Sequence, residues 1–118
     1  MAGKLTTHVL DTAGGCPAKQ LKIELWQILG VDRMLLKQAV TNDDGRTDEP
    51  LLNAAALKPG VYELVFAVGE YFLRQDMELP EPPFLNRVPI QFGVADSEIH
   101  YHVPLLVSPW SYSTYRGS

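Results

Sequence analysis

Only one cysteine, Cys16, occurs in the 118 residues, so the chain cannot close an intramolecular disulfide. That fits a reducing compartment and leaves the fold to its own core. Basic runs are missing too. Ten Lys and Arg stand against fourteen Asp and Glu, for a formal net charge of -4, which argues against a dedicated nucleic-acid surface. No window approaches the roughly 20 apolar residues of a membrane span. The opening Met-Ala-Gly-Lys has no apolar stretch like that of a secretory signal, so the expectation is a soluble cytoplasmic protein with no nucleic-acid or membrane partner. No serine lies in a Gly-x-Ser-x-Gly setting, so a nucleophile elbow is not supported.

What is present reads as one compact domain over residues 1–118. With 46% hydrophobic residues it can bury a core without metal or disulfide staples. Short strand-like stretches alternate with Gly, Pro, Asn and Asp punctuation. Residues 5–11 form the first, closed by Gly14-Gly15 and Pro17. In residues 21–28, Leu21, Ile23 and Leu25 alternate with Lys22 and Glu24, the period of two of a half-buried strand. Residues 34–41 lead into Asn42-Asp43-Asp44-Gly45, whose Asp-Gly step signals a hairpin turn. Residues 61–68 put Tyr62, Leu64, Phe66 and Val68 on one side. Residues 70–77 are the one plausible helix, and the proline-rich 79–83 is a loop. Strands over 88–94, 99–107 and 112–118 complete the chain. Seven or eight strands with one short helix predict an all-β fold, an antiparallel β-sandwich.

Candidate chemistry rests on three histidines, His8, His100 and His102. Alternation puts His100 and His102 on one face of a strand, and a histidine titrating near pH 6.5 serves as a general base. For any one of them taken alone, a surface or hydrogen-bonded structural residue is the commoner reading. A His-x-His pair with a distant third histidine also has the donor set of a catalytic zinc site. Arg46 follows the Asp-Gly turn. Such an arginine is either solvated, its pairing with Asp43 or Asp48 worth little, or a planar fork for carbonyl and urea-like oxygens. Cys16 has no neighbour to lower its pKa and reads as structural.

Two terminal segments narrow this. Leu5-Thr-Thr-His-Val-Leu-Asp-Thr-Ala-Gly-Gly-Cys-Pro-Ala18 resembles the N-terminal signature of the transthyretin family's enzymatic branch, the 5-hydroxyisourate hydrolases. The stretch from Tyr101 to Ser118, ending Tyr115-Arg116-Gly117-Ser118, resembles its C-terminal signature, and Thr41 to Asp48 resembles a third block. The likeness spans essentially the whole chain. Departures are the proline-rich 79–89 and Trp110, neither at a position expected to act.

The resemblance implies a transthyretin-like sandwich that hydrolyses 5-hydroxyisourate to 2-oxo-4-hydroxy-4-carboxy-5-ureidoimidazoline, on the way from urate to allantoin, with no cofactor or metal. It implies that His8, Arg46, His102 and Ser118 are catalytic, and that His8, Arg46 and Tyr115 bind substrate. His100 joins them by its strand parity with His102. One of His8 and His102 would take the water proton, while the other, or Ser118, positions water or protonates the leaving nitrogen. Arg46 would orient the substrate oxygens and Tyr115 would hydrogen-bond or stack on the flat ring. The same resemblance implies a homotetramer, a dimer of dimers, with sites where subunits meet. The competing reading is a non-catalytic carrier of small aromatic ligands.

Overall fold

A computed structural model describes residues 3–117. Its strands are β1 (Leu5–Asp11), β2 (Cys16–Pro17), β3 (Lys22–Leu29), β4 (Asp32–Val40), β5 (Gly60–Phe66), β6 (Val88–Val94), β7 (Tyr101–Val107) and β8 (Tyr112–Thr114). One helix, α1 (Val68–Leu73), lies between β5 and β6. The strands make two four-stranded sheets, ordered β2-β1-β7-β8 and β4-β3-β5-β6. Leu5, Val9, Val103 and Leu105 from the first sheet meet Ile23, Leu25, Leu64 and Phe66 from the second in the core. This is the all-β sandwich that the alternation predicts. No helix of the described residues is long and apolar enough to cross a membrane.

Four local expectations need correction. The sandwich is not wholly antiparallel, because β1 and β7 run parallel over seven paired residues from Leu5↔Tyr101 to Asp11↔Val107. These strands lie far apart in sequence, so no hairpin forces them to oppose. The helix begins at Val68 and ends at Leu73 rather than spanning 70–77. Val68, Tyr71 and Phe72 supply its buried stripe at helical spacing, and beyond Leu73 the polar Arg74-Gln75-Asp76 offers nothing to bury. The closing strand covers only Tyr112–Thr114, with Gly117 in an isolated bridge to His102. The turn at residues 42–45 makes no hairpin. It carries the chain off β4 and across to β1, where Arg46 bridges His8 and Leu52 bridges Leu5.

Tyr71 ties α1 to the first sheet. Its hydroxyl donates to Asp11 Oδ2 at 2.8 Å, and Gly14 N donates to the other carboxylate oxygen at 2.8 Å. Burial, then the hydrogen bond to Asp11, then the charges of Asp11 and Cys16 push the phenol well above its ordinary value. A phenol that resists ionising in the fold contributes stability in full below pH of about 10, and that contribution is lost as pH climbs beyond. Tyr71→Phe is therefore expected to flatten the fall in Tm above that pH. Thermal melts across the alkaline range check this, and an unchanged slope contradicts it.

Candidate active site

Burial alternates along β1: Leu5, Thr7, Val9 and Asp11 face the core, so Thr6, His8 and Leu10 take the outer face. On β7, Tyr101, Val103, Leu105 and Val107 are buried, and His102 and Leu106 are half-exposed on the outer side. The parallel register sets Thr6 beside His102 and His8 beside Pro104. His8 and His102 thus share one face of neighbouring strands, two positions apart. Arg46 reaches that face through its bridge to His8. Three distant parts of the sequence meet there.

The turn that delivers Arg46 is built by Asn42 and Gly45. Asn42 Oδ1 accepts from Asp44 N at 2.9 Å and Arg46 N at 3.2 Å, and Asn42 N donates to Arg46 O at 2.7 Å. Gly45 sits at φ 77°, with its carbonyl accepting from Val9 N at 2.8 Å. A Cβ there would stand 2.4 Å from the Val9 carbonyl oxygen. Only glycine lets the turn lie this close to β1.

His8 is anchored by the same turn. Its Nε2 lies 2.9 Å from the Asp44 carbonyl oxygen. A carbonyl only accepts, so Nε2 carries the proton, and in the neutral ring the lone pair sits on Nδ1. His102 Nδ1 lies 2.9 Å from Thr6 Oγ1. Burial first, then the Arg46 guanidinium, then His8 lower the His102 pKa, so its ring is neutral at pH 7. Arg46 and His8 act on His102 because all three stand on the same face.

Tyr115 follows β8. Since Leu105↔Thr114 and His102↔Gly117 keep one offset, Tyr115 falls opposite Pro104 on the outer side, while Arg116 turns over the Tyr101 ring at 4.6 Å. Tyr115, His100 and Gly117 border one shallow cleft with Ile99 and Arg116. His100 precedes β7 rather than lying within it, and its Nδ1 accepts from Lys4 N at 3.1 Å. It stands at the rim. Ser118 lies outside the described residues. The three histidines have separate partners, and no metal-holding cluster of His, Cys, Asp or Glu is found among the described residues. Sequence reasoning missed Thr6, Asp44 and Gly117. Thr6 shares the parity of His8, the one signal that could have found it.

The chain as a whole has known relatives. Residues 5–117 match the HIUase/Transthyretin family, and the chain belongs to it. It is 59% identical to the 5-hydroxyisourate hydrolase of Ralstonia nicotianae, over 98% of this chain and 99% of that one. Identity to the 5-hydroxyisourate hydrolase of Pseudomonas aeruginosa is 53%, over 98% and 92%. Among solved structures, (S)-allantoin synthase superposes with a TM-score of 0.92 at 47% identity, covering 99% of this chain but 44% of that longer one. Transthyretin from Sparus aurata superposes with a TM-score of 0.85 at 25% identity, covering 97% and 96%.

Proposed function

We propose that this chain is an enzyme that hydrolyses 5-hydroxyisourate to 2-oxo-4-hydroxy-4-carboxy-5-ureidoimidazoline, a step between urate and allantoin. The observation that carries the mechanism is the pairing of β1 with β7 and with Arg46, which gathers His8, Arg46 and His102 on one face. Relatives named for this activity at 53–59% identity support the reading.

Water adds to the ring lactam carbonyl while His8 Nδ1 takes its proton. The tetrahedral adduct carries negative charge on the former carbonyl oxygen, the charge a positioned donor stabilises most. Neutral His102 offers an N–H there, and Arg46 holds the neighbouring oxygens with its planar fork. Collapse breaks the C–N bond. The leaving nitrogen collects the proton His8 took, which returns the base to its starting form. Tyr115 lies against the flat ring from the rim, with His100 beside it.

The face is open in one chain, where Tyr115 is 59% exposed. A second copy laid over it would make a cleft and exclude water, which strengthens every charge interaction inside. We therefore read the working form as a homotetramer, a dimer of dimers. Light scattering at micromolar concentration is expected to give four times the mass of one chain; a monomer that still turns over contradicts shared sites. The exposed free thiol of Cys16 suits a reducing cytoplasm, where we place the enzyme.

Freshly made 5-hydroxyisourate mixed with the protein tests the activity itself. Its ultraviolet absorbance is expected to decay much faster than in a buffer blank. A carrier of aromatic ligands would leave the decay at the blank rate.

A further inference from the structure

We infer that Thr6 and Gly117 are positioning residues that hold the His102 ring in one orientation and one tautomer, with Nε2–H turned to the substrate. This rests on the site reading above, in which His102 is the donor. Thr6 stands directly beside His102 in the parallel register, with Oγ1 2.9 Å from Nδ1. Among the described residues Nδ1 is the hydroxyl's hydrogen-bond partner. A half-buried O–H without an acceptor costs more than a spare lone pair, so the hydroxyl donates and Nδ1 accepts. The ring proton is left on Nε2. Threonine's branched Cβ restricts its χ1, which makes this contact firmer than a flexible side chain would.

Gly117 holds the opposite edge. Its N–H donates to His102 O at 2.8 Å, and its backbone lies flush against the ring. A Cβ at position 117 would stand 2.7 Å from Cδ2 and 3.3 Å from Cγ of His102. No side chain fits there unless the imidazole moves. With Nδ1 held by Thr6 and Cδ2 covered by Gly117, the edge left open is the one carrying Nε2. A ring flip would exchange these edges and lose the Thr6 bond.

The conservative test is Thr6→Val, which keeps the shape and removes the hydroxyl, with Thr6→Ser as the rescue and His102→Ala as the reference. In the full chain labelled with 15N-histidine, long-range 1H–15N spectra report which His102 nitrogen bears the proton. Wild type is expected to show the Nε2–H tautomer, and Thr6→Val a mixture. Its kcat is expected to fall about tenfold with KM within about twofold, a fraction of what a positioned proton donor supplies. Thr6→Ser restores the tautomer and most of kcat, and Gly117→Ala loses kcat to a similar extent. If His102→Ala turns over like wild type, the site reading itself fails. If His102→Ala is slow but Thr6→Val keeps wild-type kcat and tautomer, the site stands and the positioning role falls. Equal losses in Thr6→Val and Thr6→Ser with an unchanged tautomer also overturn it.

Discussion

His8→Gln is expected to lower kcat at least about a hundredfold while KM stays within about threefold, since a positioned general base contributes that much or more. The substitution is chosen to isolate proton transfer. A glutamine amide places its Nε2 where the imidazole Nε2 stands and still donates to the Asp44 carbonyl, 2.9 Å from the ring nitrogen, so the turn keeps its anchor. A glutamine amide has no nitrogen lone pair that takes a proton near neutral pH. The loss should therefore fall on the chemical step and not on binding. Initial rates of absorbance loss over a range of substrate concentrations separate the two. Turnover within about threefold of wild type would remove His8 as the base.

Gly45→Ala is the largest expected change in stability, and it links the fold to the site. Two costs combine. A left-handed backbone at φ 77° costs alanine about 1 kcal/mol. The new methyl would also stand 2.4 Å from the Val9 carbonyl and 3.2 Å from Pro17 Cβ, contacts that force backbone to move. Together these are on the order of 3 kcal/mol, enough to lower Tm by about 10 °C in a domain of this size. Arg46 is the next residue, so turnover should fall as well. Gly15→Ala is the matched control, because Gly15 has φ 69° with nothing within 4 Å of an added Cβ. It should lose only about 1 kcal/mol, the conformational part. Equal losses at the two positions would show that close approach to β1 is not what position 45 requires.

Much of the fold was legible because alternation is a local signal. Leu21, Ile23 and Leu25 mark β3, and Tyr62, Leu64 and Phe66 mark β5, without reference to any partner. Pairing was not legible in the same way. That β1 lies parallel to β7 depends on contacts between residues 96 positions apart, which neither strand announces. The helix boundary slipped because Val68 continues the alternation of β5 while also opening the stripe completed by Tyr71 and Phe72. Asp44-Gly45 carries a genuine turn signal, yet the turn spans two sheets, and only the tertiary fold decides where Arg46 lands.

The site was legible in its residue types through the family likeness, and in its geometry only through the register. His8, Arg46 and His102 come together as expected. Strand parity is the only sequence feature that joins His100 to the site. Parity does not hold for a residue that lies ahead of its strand and accepts the Lys4 amide. The separate contacts of His8 Nε2 with the Asp44 carbonyl and of His102 Nδ1 with Thr6 Oγ1 place the two rings in different surroundings, which no spacing in the sequence could have shown.

Whether guanidinium and imidazole serve one bound heterocycle is decided by a double-mutant cycle on kcat/KM, using Arg46→Ala, His102→Ala and the pair combined. Each single change should cost at least about tenfold, and the combined protein should lose far less than the product of the two, because groups acting on one transition state are not independent. Losses that multiply cleanly, or single variants with near-normal turnover, would mean that the two side chains do not share a site.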